Sequence, residues 1–413
     1  MRTELITIGD EILAGRTLDT NSNYIARELQ SLGLPLCQIT TGSDKLQDLT
    51  RILREVISRA DIVITIGGLG PTPDDRLREA MAEALRLPLE ENTEAACMLL
   101  NYKFNNPQGY TKQVRMPEGA VALRNMKGVA PGVYLNVKGN KHIFCLPGVP
   151  NEMKDMFKKE VRRILVEKVK ITPPKIFLLR TTGICEVDML SKVTDSFPDL
   201  ADRIAFYPSY EGVDLRIVDD EQAYKQCKKL FEPYIYTEEQ KDLSETVGDL
   251  LRQRSLTLSV AESCSGGLIS SRIVDIPGSS DYYLGGVISY SNQTKIELLK
   301  VEKDLLKKFG AVSTQVAKSM AEGCRKKFGS DYSLSTTGIA GPTGGSREKP
   351  IGLVYIGLAR RGKNSYIRKY RFKGTRQMVR RKSAQSALFM LFLELEDRLK
   401  GFPFADGSEE GIL

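Results

Sequence analysis

Apolar and polar positions along the chain fall into short blocks of two periods. TELITIG (3–9), LCQITTG (36–42) and DIVITIGG (61–68) are runs of strand length, and the last is almost continuously apolar, as in a parallel strand buried on both faces. Between them, SNYIARELQSLG places Ile25, Leu29 and Leu32 at helical spacing with Gly33 as a stop, and KLQDLTRILREVIS repeats the pattern. DDRLREAMAEALRL (74–87) predicts a helix with acids in its first turn. GVYLNV and HIFCLPG predict a hairpin turning at Gly139-Asn140, and NEMKDMFKKEVRRILVEK a closing amphipathic helix. This alternation predicts a doubly wound α/β domain over 1–170. ITPPK (171–175) marks a boundary. A small α+β domain then follows over 171–238, reading β-α-β-β-α with a hairpin at Glu211-Gly212. Over 239–413 a third, α/β domain opens with helix SETVGDLLRQR and strand SLTLSVA. It continues through YLGGVISYS, AKSMAEGCRKKF, YSLSTTGIAG and IGLVYIGLA, and closes with QMVRRKSAQSALFMLFLELEDRL.

Composition narrows the class. Hydrophobic residues at 41% and charged residues at 27% suit globular domains with real cores, and 413 residues suggest about two to four of them. The net charge of +8 and pI near 8.9 would suit polyphosphate ligands. Interleaved signs and the lack of a nucleic-acid motif argue against a nucleic-acid partner. Seven scattered cysteines without a C-x-x-C pair point to a reducing cytoplasm rather than a disulfide framework or zinc site. No run reaches the roughly 18 apolar residues of a membrane span. ALFMLFLELEDRL reads as a buried helix. One count constrains mechanism: His142 is the single histidine.

Three polar, glycine-marked loops, GDEILAG (9–15), DTN (19–21) and GGLGPTPDD (67–75), with LPGVPNEM (146–153) as a fourth, lie just past strand ends, where open α/β sheets bind ligands. Gly67, Gly68, Gly70 and Gly148 allow close backbone approach, and Thr72 can donate to an anion. Asp74 and Asp75 would repel phosphate directly. They become useful if a hard divalent cation such as Mg²⁺ stands between them and a pyrophosphate; alone, they could equally cap a helix.

In the C-terminal domain, AESCSGG (261–267) is a strand-to-helix turn offering Ser263, Cys264 and Ser265. No histidine lies in this domain, so Ser-His-Asp and Cys-His schemes fail and a lysine or tyrosine must activate the nucleophile. PGSSDYYLGGVISYSNQTK (277–295) supplies Ser279, Ser280, Tyr282, Tyr283, Tyr290 and Lys295. A desolvated Lys295 could act as base near neutral pH. Cys264 is a rival nucleophile, because helix N-termini lower thiol pKa values.

The N-terminal motifs resemble the molybdopterin-binding (MoaB/Mog-like) domain as it occurs in the CinA family. AESCSGG, PGSS, YSNQTK, TTGIAGPTGGS (336–346) and KPIG resemble that family's nicotinamide-nucleotide amidase domain, in the same order. The resemblance implies a bifunctional hydrolase of nicotinamide-nucleotide salvage. Its C-terminal domain would deamidate nicotinamide mononucleotide to nicotinate mononucleotide and ammonia without a cofactor. Its N-terminal domain would be a divalent-metal-dependent ADP-ribose pyrophosphatase. It assigns Ser280 as nucleophile with Tyr290 and Lys295, leaving Glu262, Ser263, Ser265, Gly266 and Gly267 as the substrate cradle. Thr337, Gly338, Gly341 and Arg376 would hold the ribose phosphate. It assigns Asp10, Glu11, Asp74 and Asp75 to metal, and Asp19 and Asn21 to substrate. A homodimer is the expected assembly. Arg76-Leu77 departs from the Leu-Thr more usual after the acids. Three alternatives stay open: a nucleotide-sensing N-terminal domain without catalysis, a molybdopterin transferase, and a DNA-associated competence protein.

Overall fold

The computed structural model describes residues 1–100, 102, 107–138 and 140–402. It forms two compact units, Met1–Pro174 and Lys175–Leu413.

The first unit is built on a six-stranded sheet in the order Leu36–Gly42, Thr3–Ile8, Ile62–Ile66, Lys141–Leu146, Gly132–Val137, Val121–Leu123. The first four strands run parallel; Gly132–Val137 is reversed and pairs antiparallel with both of its neighbours. The period-2 alternation of a strand sends neighbouring residues to opposite faces. Ile6, Ile8 and Val63 meet the helices Leu46–Arg59 and Leu77–Leu85 on one face. Leu5, Ile62, Ile64 and Ile66 meet residues of Thr20–Ser31 and of the helical stretch 150–167 on the other. Two cores, one per face, make the predicted doubly wound layering. The predicted hairpin is present as the antiparallel pair of Gly132–Val137 with Lys141–Leu146, although Gly139 at its turn lies outside the described residues. One helix starts later than the sequence suggests. It begins at Leu77, so Asp74 and Asp75 lie in the loop before it.

In the second unit, residues 176–237 form a four-stranded antiparallel sheet, ordered Ile204–Pro208, Val213–Val218, Ile176–Thr181, Ile235–Thr237. The last strand is too short to read from pattern. Where the sequence predicts a separate domain at 171–238, the structure gives this module its own core but joins it in one unit with the C-terminal α/β sheet. Phe402 packs edge-on against Tyr234 at 5.4 Å and Phe389 at 5.3 Å, and Arg398 donates to the Ile235 carbonyl at 3.2 Å.

The larger sheet has five strands in the order Tyr283–Ile288, Leu258–Glu262, Tyr332–Gly338, Leu353–Arg360, Lys363–Arg371. The first three are parallel; Leu353–Arg360 is reversed and pairs antiparallel with both of its neighbours. Lys363–Arg371, KNSYIRKYR, escapes a hydrophobic reading because it is a partly solvated edge strand. Helix Arg376–Leu395 is buried on all sides over its second half, as its apolar run predicts. Among the described residues, no helix is long and apolar enough to cross a membrane.

Candidate functional site

Leu258–Glu262 lies between two parallel neighbours, so the residues after all three strands gather at one end of the sheet. Ser263 is fixed there by its amide, which donates to the Thr336 carbonyl at 3.0 Å, while the Ser289 amide donates to the Glu262 carbonyl at 2.7 Å. Gly266 and Gly267 turn the chain at φ +62° and +90°, and helix Leu268–Val274 follows. Lys295, on helix Asn292–Leu299, reaches back into this end. Its Nζ donates to Ser263 Oγ at 3.1 Å and to the Ser289 carbonyl at 2.6 Å. The lysine is 1% exposed, and burial pulls its pKa from 10.5 to about 8. Ser263 is 8% exposed, so the pair meets the surface at the hydroxyl.

Ser280 is not part of this pair. It is exposed on the turn Ser279–Asp281, before the strand Tyr283–Ile288 begins, whereas Lys295 comes after that strand ends. That strand pairs in parallel with Leu258–Glu262, Leu258 standing opposite Tyr283. Six residues at about 3.3 Å each put Ser280 roughly 20 Å away, at the far end of the sheet. The expected Ser280–Lys295 contact is therefore absent, and strand direction is the reason.

Tyr290 lies on the near side. Its hydroxyl accepts from Arg376 at 2.8 Å, and the same guanidinium donates to the Gly341 carbonyl at 2.8 Å. Three expected site residues are thus joined at the rim. Others have structural duties. The Glu262 carboxylate, expected in the cradle, accepts from the Ile269 and Ser270 amides at 3.1 and 2.9 Å and from Ser270 Oγ at 2.7 Å, capping the following helix. Ser265 Oγ shares a hydrogen bond with Thr336 Oγ1 at 2.6 Å, and the Ser265 carbonyl accepts from Arg380. Thr337, expected to donate to phosphate, is buried and donates to the Ala311 carbonyl at 2.8 Å. Gly338 ends its strand where a Cβ would press to 2.6 Å from the Leu353 carbonyl oxygen. Cys264 is buried, and burial pushes its thiol up to about 11, away from a reactive thiolate.

In the first unit the four parallel strands likewise gather their following loops at one end. Gly67 donates its amide to the Leu146 carbonyl at 3.0 Å, and a Cβ on Gly67 (φ +101°) would meet the Ile8 carbonyl oxygen at 2.5 Å. Gly148 abuts Gly67, and its carbonyl accepts from Asn21 Nδ2 at 2.7 Å, leaving Asn21 Oδ1 buried without a partner. Asp19, expected to bind substrate, instead accepts from the Ser22 amide at 2.9 Å and from Thr7 Oγ1 at 3.0 Å, capping Thr20–Ser31. Thr72 and Asp75 are also turned inward. The Thr72 amide and hydroxyl donate to Asp75 Oδ2, which closes the loop and fills the space beside Gly70.

The remaining acids form a looser group. Asp44, which pattern alone does not single out, accepts from the Asp10 amide at 3.0 Å. Its carboxyl is pushed up by burial and by the negative charge of Asp10, Glu11 and Asp74. Carboxylate oxygens sharing excess negative charge are the donor class of a hard divalent cation. Among the described residues, no three His, Cys, Asp or Glu side chains stand at metal-ligand spacing. His142 is remote from this chemistry. It lies near the start of Lys141–Leu146 at the opposite end of the sheet, buried, with Nδ1 3.0 Å from the Tyr134 hydroxyl and its pKa lowered by burial.

The sequence matches a probable molybdopterin binding domain over residues 4–167 and the CinA C-terminal domain over 240–395. A CinA-like protein of Dictyoglomus thermophilum is 40% identical over 95% of this chain and 98% of its own length. The chain belongs to the CinA family. A second CinA-like protein, of Dictyoglomus turgidum, is 41% identical over 92% of this chain and 96% of its own. Among solved structures, the competence/damage inducible protein CihA of Agrobacterium tumefaciens is 37% identical, covering 37% of this chain and 93% of its own, with a TM-score of 0.36. Within this CinA-family chain, the Arg76-Leu77 pair has a structural role. Leu77 is fully buried, its amide donates to the Gly68 carbonyl at 3.1 Å, and Arg76 Nε donates to the Pro73 carbonyl at 3.1 Å.

Proposed function

We propose that the C-terminal site hydrolyses the carboxamide of nicotinamide mononucleotide, with Ser263 as nucleophile and Lys295 as its base. The observation that carries this reading is the contact between the buried Lys295 amine and Ser263 Oγ. Neutral Lys295 takes the hydroxyl proton as Oγ bonds to the carboxamide carbon. The same contact then runs with the hydroxyl donating to the nitrogen lone pair. Backbone amides of the turn after Ser263 would stabilise the oxyanion. The carbon–nitrogen bond breaks as Lys295 returns the proton to the departing nitrogen, giving ammonia and a Ser263 ester. Water, deprotonated by Lys295, cleaves the ester to nicotinate mononucleotide and restores the hydroxyl. Arg376 spends its two bonds on neutral oxygens, so its charge is left for the substrate phosphate. The substrate class rests on the family resemblance. Ammonia release from nicotinamide mononucleotide by the purified chain tests it, and no turnover would reject it.

For the N-terminal site we propose divalent-metal-dependent hydrolysis of ADP-ribose to AMP and ribose 5-phosphate. Asp10, Glu11, Asp44 and Asp74 would hold the cation, which would offset the charge of the pyrophosphate. The charge crowding on Asp44 supports this reading. The missing side chains at Gly67, Gly68 and Gly148 let these loops close against Ile8, Leu77 and one another beside the acids. Incubation with ADP-ribose and Mg²⁺, following AMP, tests it against a site that only senses nucleotide.

A further inference from the structure

Behind the Gly67–Asp75 loop lies a cleft of about 380 Å³ that neither proposed reaction uses. Its charged lining is Arg78, Lys112, Arg115 and Glu79, with Leu89 and Pro107 as apolar walls. Three cations thus face one carboxylate. Their hydrogen bonds go chiefly to neutral oxygens. Arg78, 2% exposed, donates to the carbonyls of Leu69 and Pro131, both at 2.9 Å, and its Nε is buried without a partner. Lys112 donates to the Thr72 carbonyl at 2.6 Å and stands 3.8 Å from Glu79. Arg115 donates to the Leu89 carbonyl at 3.0 Å.

We infer that this cleft is a second anion site, taking a small phosphorylated organic molecule. The phosphate lies among Arg78, Lys112 and Arg115, and the carbon skeleton lies on Leu89 and Pro107. The lining's own excess of two positive charges suits a phosphate monoester, and the volume falls in the range of small-molecule pockets. The same cations hold the back of the glycine loop through the Leu69 and Thr72 carbonyls, so an anion that draws Lys112 away from Thr72 loosens that loop. This site stands independently of the pyrophosphatase reading, because it uses none of the acids proposed for the metal.

Calorimetry on the full chain, with chelator present to exclude divalent metal, tests it with ribose 5-phosphate as probe. Binding is expected for ribose 5-phosphate, more weakly for inorganic phosphate, and not for ribose. Arg115→Ala, at an exposed position, should weaken binding roughly tenfold or more. Glu79→Gln should tighten it several-fold by removing the one carboxylate in the lining. Absence of binding, or affinity unmoved in both variants, would overturn the site. Equal affinity for inorganic phosphate would overturn the organic occupant. Tightening by Asp74→Asn but not by Glu79→Gln would place the phosphate on the glycine loop instead.

Discussion

The two candidate sites occupy equivalent places, past the ends of parallel strands and beside glycine turns, yet folding finishes them to different degrees. At the C-terminal site the pair proposed to react is already in contact: Lys295 is buried against Ser263, and burial brings its pKa to about 8. At the N-terminal site the acids are drawn to one region but, among the described residues, remain apart, and Asp44 feels the charge of three acidic neighbours. Burial tunes a single amine without outside help, whereas clustered carboxylates need a counter-ion from solution. The first site should therefore work as folded and the second only when charged with metal.

The largest expected effect separates them directly. Lys295→Ala removes the base and should lower ammonia release about a thousandfold or more while ADP-ribose cleavage continues at the wild-type rate; paired assays on one preparation check this. Asp74→Asn, or chelation, should do the reverse, cutting AMP formation by roughly a hundredfold and sparing ammonia release. The pH dependence comes next. The Lys295 pKa is lowered, so the neutral, proton-accepting form gains as pH rises through about 8. At pH 7 only roughly one molecule in ten holds the free amine. The kcat/KM for deamidation should climb about tenfold per unit below pH 8 and level off above it; a profile falling over that range would contradict the base assignment. The smallest effect belongs to Cys264→Ala. Its thiol is buried and held protonated, so turnover should stay within about threefold of wild type in the same assay.

Much of this is legible in the sequence. The strand and helix periods locate most strands of the two larger sheets, and the lack of a histidine in the C-terminal domain directs attention to lysine chemistry. The choice among serines needs strand direction. PGSS stands before the strand YLGGVIS and Lys295 after it, so one strand length separates Ser280 from its expected base. That order is visible in the sequence, but it becomes decisive only when Leu258–Glu262 and Tyr283–Ile288 are known to be parallel. Residue type likewise hides roles that burial reveals. Glu262, Asp19 and Thr337 look like ligand groups in their motifs, and each spends its side chain on neighbouring backbone or side-chain donors and acceptors. Asp44 escapes the sequence for the opposite reason: it lies in a plain loop, and only the fold sets it against Asp10.

The central claim is that Ser263, not Ser280, carries the attack. Ammonia release from nicotinamide mononucleotide, measured for Ser263→Ala and Ser280→Ala side by side with matched thermal melts, tests it most directly. The expected result is a loss of about a thousandfold or more in Ser263→Ala and near-wild-type turnover in Ser280→Ala. An active Ser263→Ala beside an inactive, folded Ser280→Ala would contradict it.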